Sequence, residues 1–114
     1  MSKRIQRVNQ LIKKELSQLL LREVEFPADT LVTVTRVETS PDLKESRIFI
    51  SILPEAKTAR IIDFLNRKIY FLQQKINKRL KMKPLPKLKI LEERKTKEAG
   101  RVEEILEKIK EEKS

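Results

Sequence analysis

The sequence predicts an α+β domain with the element order α-β-β-α-(α)-β-α. Apolar residues recur at helical spacing in two long stretches, and two short segments rich in β-branched residues stand between those stretches. A third short segment alternates charged and apolar residues, as expected for a strand with one buried face. Since 114 residues suit one hydrophobic core, we expect a single domain over 1–114.

The first half of the chain reads as a helix followed by two strands. Residues 4–21 have the helical stripe, and residues 31–37 and 46–53 have the β-branched or alternating pattern of strands. Ser40-Pro41-Asp42 supplies turn residues between the strands, and Pro54 cannot donate a hydrogen bond to a sheet. The short turn predicts an antiparallel pair. The stripe of the first helix consists of Ile5, Val8, Ile12, Leu16 and Leu19.

The second half contains the longest helical pattern, over residues 56–82. A straight helix of this length would be about 40 Å long, which is too long for a compact domain whose radius of gyration is near 13 Å. We therefore expect a break or bend at 67–71. Lys83-Pro84-Leu85-Pro86 ends the helical pattern. Residues 87–90 alternate as a strand, and residues 97–112 have the pattern of a closing helix.

Positive charge is concentrated between Asp63 and Glu92, where the chain has no acidic residue. The protein carries a net charge of +10, and such a concentration repels itself unless a polyanion neutralises it. This pattern indicates a phosphate-facing surface centred on residues 57–89, with nucleic acid as the leading class of partner. The basic residues of the segment are Arg67, Lys68, Lys75, Lys78, Arg79, Lys81, Lys83, Lys87 and Lys89.

Several classes of function lack the residues they need. The chain has no cysteine and no histidine, so thiolate chemistry and imidazole acid–base catalysis are excluded. Its single glycine, Gly100, excludes a Gly-rich nucleotide loop and a Gly-x-x-Gly RNA clamp. We expect no enzymatic activity, no cofactor, no metal and no small-molecule substrate. A metal-dependent hydrolase built on Asp42 is a distant alternative, because turn chemistry already explains that residue.

The apolar runs of the sequence are too short to indicate a membrane protein. None approaches the roughly 18 residues that span a bilayer, and no apolar stretch of signal-peptide type follows the basic N-terminus. We expect a cytoplasmic protein without a membrane partner.

Three aromatic residues, Phe64, Tyr70 and Phe71, lie beside the basic residues of the long helical pattern. Exposed, they could stack on unpaired bases. A break at 67–71 would instead rotate them into the core. With aromatic residues at 4% of the chain, use in the core is the favoured interpretation.

Four segments carry a family resemblance. Residues 33–44 (TVTRVETSPDLK), followed by residues 47–51 (RIFIS), resemble the most distinctive segment of the ribosome-binding factor A family. The opening Arg4-x-x-Arg7-Val8 is similar to that family's first helix, and residues 79–83 (RLKMK) are similar to its passage from helix to strand. Gly100-Arg101-Val102 resembles its closing helix.

The resemblance implies a K-homology fold of the second type, in which a kink replaces the Gly-x-x-Gly loop. It also implies a non-enzymatic factor that binds the small ribosomal subunit and its 16S rRNA during late maturation and rRNA processing, and that helps ribosome assembly in the cold. At the kink, where the family has Ala-x-Gly, this chain has Lys68-Ile69-Tyr70.

The expected RNA-binding residues combine the basic segment with the start of the first helix. An alternative is a basic protein-interaction module that recognises an acidic protein partner. We expect the free protein to be monomeric. The expected RNA contacts are Arg4, Arg7, Arg67, Lys68, Lys75, Lys78, Arg79, Lys81 and Lys83.

Overall fold

The computed structural model describes residues 3–81 and 85–93, which form an α+β domain with the order α-β-β-α-α-β. This confirms the predicted fold class and the type II K-homology order. The closing helix predicted at 97–112 lies outside the described residues. The helices are α1 (Lys3–Glu23), α2 (Thr58–Arg67) and α3 (Ile69–Leu80), the strands are β1 (Leu31–Thr39), β2 (Glu45–Leu53) and β3 (Lys87–Glu92), and a 3₁₀ turn (Glu55–Lys57) precedes α2.

The three strands form one sheet in the order β1-β2-β3. β1 pairs with β2 in antiparallel orientation, as predicted, and β3 pairs with β2 in parallel orientation. A register shift between Val34 and Arg36 leaves Thr35 without a cross-strand partner, which is the geometry of a β-bulge.

One face of the sheet is covered by the helices, and the core lies between them. Ile48, Ile50 and Ile52 alternate along β2 and are all buried on this face. Leu16 of α1 and Leu72 of α3 are fully buried in the same cluster. Burying each such side chain contributes about 1.5–3 kcal/mol, so the shared core fixes the helices on the sheet.

A small polar network lies at one end of this core. Ser46 is fully buried, and its hydroxyl is 2.7 Å from that of Thr39, its partner across the β1–β2 pair. Thr39 donates to Asn9 Oδ1 of α1 at 2.6 Å, so the proton between the two hydroxyls comes from Ser46. The network joins α1 to both strands.

The β1–β2 turn is held by side-chain hydrogen bonds. The Ser40 hydroxyl donates to Asp42 Oδ1 at 2.6 Å, and the Lys44 amide donates to the same oxygen at 3.0 Å. These bonds, the Ser40 hydroxyl first, hold the pKa of Asp42 below its ordinary value. They surround Leu43, whose φ of 60° is in the left-handed region that non-glycine residues usually avoid.

The long helical pattern breaks at Lys68, as predicted. Lys68 has φ −99° and ψ 11°, outside the α-helical range, so α2 ends at Arg67 and α3 begins at Ile69. Both backbone polar groups of Lys68 keep a hydrogen-bond partner at the break. The Lys68 amide donates to Leu65 O, and the Lys68 carbonyl accepts from the Leu72 amide, both at 3.0 Å. Each half can then bury its own apolar face.

Candidate nucleic-acid interface

Helix α3 carries three of the nine expected RNA contacts, Lys75, Lys78 and Arg79, and a fourth, Lys81, follows its last residue. The helix is fixed by its inner side and by β3. Leu72 and Ile76 are fully buried against the core. Gln73 faces β3, where its side chain donates to Pro86 O at 3.2 Å and accepts from the Leu88 amide at 2.8 Å. These contacts determine which residues of α3 remain for a ligand.

A second side of α3 faces α1 and is partly neutralised. Lys75 Nζ lies 3.4 Å from Glu23 Oε1, and Arg79 Nε lies 2.8 Å from Glu15 Oε1. Two of the expected RNA contacts are therefore held in ion pairs with helix α1. The later residue of α1, Glu23, pairs with the earlier residue of α3, Lys75, whereas the earlier Glu15 pairs with the later Arg79. Helices α1 and α3 are therefore antiparallel.

The third side of α3 faces outward, and we call it the outward strip. Its members follow at helical spacing over about 17 Å, and all are exposed. Over residues 3–81 and 85–93, none of them contacts a carboxylate. The outward strip consists of Tyr70, Gln74, Asn77, Lys78 and Lys81.

Two further expected contacts lie at the kink. Arg67 NH2 lies 2.9 Å from Asp63 Oδ2, in a pair whose side chains are 71% and 68% exposed. Such an exposed pair contributes little to stability, and another anion can easily replace Asp63 as the partner of Arg67. Lys68 Nζ lies 5.3 Å from the centre of the Phe64 ring, within the range of a cation–π contact.

The start of α1 adds Arg4 and Arg7, which are both exposed. Because α1 and α3 are antiparallel, these arginines lie toward the end of α3 that carries Lys78 and Lys81. Lys81 closes α3 with a φ of 42° in the left-handed region. The last expected contact, Lys83, lies outside the described residues.

The basic residues of β3 do not join this surface. Leu88 and Ile90 are buried toward the helices, so Lys87 and Lys89 lie on the opposite, open face of the sheet. The acid-free segment is thus divided between two faces of the domain, whereas the charge pattern of the sequence treated it as one surface.

The open face also carries a cluster that sequence reasoning missed. The Arg36 guanidinium lies 3.7 Å from the centre of the Phe49 ring and pairs with Glu93 at 3.0 Å and with Glu38. The hydrogen bond to Glu93 raises the pKa of Arg36 above its ordinary value. These residues join β1 and β2 to the residue that follows β3, across a face that carries no helix in the part of the chain that the structure describes.

The three aromatic residues divide in a way that corrects the sequence interpretation. Phe64 is half-buried and packs edge-on against Phe26, with ring centres 6.3 Å apart. Core use is wrong for the other two, because Tyr70 is 75% exposed and Phe71 is 38% exposed. With the break at Lys68, Leu72 takes the core-facing position in the first turn of α3 and leaves the two preceding residues outside.

No group of three or more His, Cys, Asp or Glu residues is placed to hold a metal within the described ranges. Asp42, considered above as a metal ligand, is engaged in its turn. No described helix is both long and apolar enough to cross a bilayer.

Solved structures share this fold. The crystal structure of ribosome-binding factor A from Thermus thermophilus aligns with a TM-score of 0.66, at 22% identity over 77% of this chain and 94% of that chain, which supports the fold alone. A homology model of Thermus thermophilus ribosome binding factor A, fitted into the cryo-EM map of a 30S–RbfA complex, aligns with a TM-score of 0.64 at 26% identity. That alignment covers 75% of this chain and 90% of that one.

Sequence comparisons reach the same family over most of the chain. Ribosome-binding factor A of Thermodesulfovibrio yellowstonii is 32% identical over 108 residues, which cover 95% of this chain and 92% of the relative. The family model described as ribosome-binding factor A matches residues 4–106. The chain therefore belongs to the ribosome-binding factor A family.

Proposed function

We propose that this protein is a non-enzymatic ribosome assembly factor that binds the small ribosomal subunit and its 16S rRNA during late maturation and rRNA processing. It acts in the cytoplasm as a monomer, with residues 1–114 as one RNA-binding domain. Family membership supports the proposal, as does the similar protein that was fitted into a 30S complex. The resemblance further implies that loss of the protein impairs ribosome assembly most at low temperature.

The observation that carries the proposal is the outward strip of α3. It is exposed, it ends in Lys78 and Lys81, and no carboxylate neutralises it among the residues described. Lysines of this kind suit contact with phosphate that does not depend on base sequence. The kink cations Arg67 and Lys68 continue the surface at one end of α3, and Arg4 and Arg7 continue it at the other.

The proposed mechanism is occupancy. The basic surface lies along rRNA phosphates and holds a maturing region in one arrangement until that region is complete. If six phosphates are neutralised, the logarithm of affinity falls against the logarithm of salt concentration with a slope of about −4 on single-stranded RNA.

The test compares two double charge reversals. Lys78→Glu with Lys81→Glu changes the outward strip, whereas Lys13→Glu with Lys89→Glu makes the same charge change at exposed residues on α1 and on the open face of the sheet. Lys75 and Arg79 are left alone, because reversing them would place like charges against Glu23 and Glu15. Both variants should stay folded by circular dichroism.

We expect the strip variant to lose co-sedimentation with small subunits and the control variant to keep it. Equal retention by both would remove α3 from the proposal. Association that survives ribonuclease treatment, with weak binding to purified 16S rRNA, would instead favour a module for an acidic protein partner. Rescue of slow growth at low temperature, in cells that lack their own factor, tests the biological role.

A further inference from the structure

The three aromatic rings near the kink differ in what covers them. Lys68 Nζ lies 5.3 Å from the centre of the Phe64 ring, and Phe64 also packs against Phe26. Lys75 Nζ lies 5.5 Å from the centre of the Phe71 ring, and that lysine is itself held by Glu23. Phe64 and Phe71 thus have partners within the protein.

Tyr70 has none among the residues that the structure describes. Within those residues its ring contacts no other ring and no cation, its hydroxyl makes no hydrogen bond, and it is 75% exposed. An exposed aromatic ring alone proves nothing, because single apolar side chains are common on surfaces. The position of this ring is the informative feature.

Tyr70 begins the outward strip. It stands two residues after Lys68 at the kink, and Lys78 and Lys81 follow on the same side of α3. A strand whose phosphates contact those lysines would bring its bases past the ring. Bases that are already paired and stacked in a duplex cannot stack on it, whereas unpaired bases can.

We propose that Tyr70 is a stacking platform for one unpaired base of the bound RNA. This rests on the proposed function and adds that the α3 surface selects single-stranded RNA. The ring supplies a π-face that accepts any base, and Lys68 and Lys78 hold the backbone on either side of it. Charge complementarity between this acid-free strip and phosphate favours RNA over an apolar peptide as the occupant.

The chain offers a direct reporter for the proposal. Tyr70 is its only tyrosine, and there is no tryptophan, so fluorescence excited in the tyrosine band, where phenylalanine does not absorb, reports on this ring alone. Titration with an oligouridine nonamer should quench it after correction for absorbance. An abasic ribose–phosphate oligomer of the same length should bind through its phosphates without quenching. Equal quenching by both oligomers would overturn the proposal.

Substitution gives the second readout, by anisotropy of labelled RNA. Tyr70→Leu should weaken binding of oligouridine about 10-fold and leave the affinities for the abasic oligomer and for an RNA duplex unchanged. Tyr70→Phe should keep wild-type affinity, because stacking needs the ring and not the hydroxyl. The matched control is Leu21→Ala, which removes an 84% exposed side chain from α1 and should change no affinity.

The outcomes separate this proposal from the proposed function. If wild type binds all three RNAs and Tyr70→Leu binds oligouridine equally well, the stacking role fails and the assembly role stands. If the Tyr70→Leu variant loses affinity equally for all three RNAs, the residue acts on the fold or on phosphate, and the stacking role also fails. If folded wild type binds none of them, both proposals fail.

Discussion

Arg79 of α3 donates a hydrogen bond from its Nε to Glu15 Oε1 of α1 at 2.8 Å. Its neighbour Lys78 is exposed and contacts no carboxylate over residues 3–81 and 85–93. Two adjacent cations on one helix are therefore placed for different tasks. Arg79 joins two helices, while Lys78 is free for a ligand.

This difference predicts distinct effects of neutralising each residue. Lys78→Gln should reduce the salt slope of RNA affinity by about 0.7 on single strands and leave stability unchanged. Arg79→Gln should lower the free energy of unfolding by up to about 1 kcal/mol, the usual value of a partly exposed pair, with a smaller effect on the slope. Salt titrations and urea denaturation measure the two quantities. Equal slope changes in both variants would contradict the assignment.

At Lys81, the stability of the fold and the affinity for RNA favour different residues. The Lys81 φ of 42° is unfavourable for a residue with a side chain, and glycine is preferred at this position after a helix. Lys81→Gly should therefore stabilise the fold by about 1 kcal/mol while it weakens RNA binding through the lost charge. Thermal denaturation and RNA titration check the opposite signs. Lys81→Ala, which loses the charge but keeps the strain, should weaken binding without stabilising the fold.

The turn at Asp42 predicts a pH dependence. Since the pKa of Asp42 is lowered in the folded protein, its contribution to stability is present above the ordinary carboxyl pKa and is lost as pH falls through the lowered one. Asp42→Asn should be less stable than wild type at pH 7, and the difference should shrink below about pH 4. Thermal unfolding across the acidic and neutral range measures it. A constant difference across that range would show that Asp42 acts without its charge.

The buried hydroxyls of Thr39 and Ser46 predict that substitutions at the two positions have non-additive effects on stability. Thr39→Val should cost about 1–3 kcal/mol, because it leaves the Ser46 hydroxyl buried without an acceptor. Adding Ser46→Ala removes the orphaned hydroxyl and should recover part of that loss. Urea denaturation of both single variants and the double variant tests this. If the double variant loses the sum of the two single losses, the two hydroxyls are not coupled.

The sequence was sufficient to predict the helices and strands that the structure describes, and the position of the break. The pattern over residues 56–82 was too long for a compact domain, and the break falls at Lys68, inside the expected window. Alternation of apolar residues likewise identified β2 and its buried face. These features depend on local pattern and length.

The sequence was insufficient wherever a side chain's partner is distant. Glu15 and Arg79 are 64 residues apart, so nothing local shows that they pair. Lys87 and Lys89 fell within the acid-free segment, yet their strand turns them to the other face. The exposure of Tyr70 depends on which residue the break occupies, which periodicity cannot resolve to a single position.

Ionic strength acts on this protein in two places at once. Salt ions compete with the contacts between the outward strip and phosphate. They also screen the two ion pairs that join α1 to α3. Part of any affinity lost at high salt would then come from a loosened helix pair and not from displaced counterions. An apolar pair at positions 15 and 79 would remove one of these two salt-sensitive contacts, and the change in slope would show how much that contact adds to the apparent count of phosphates.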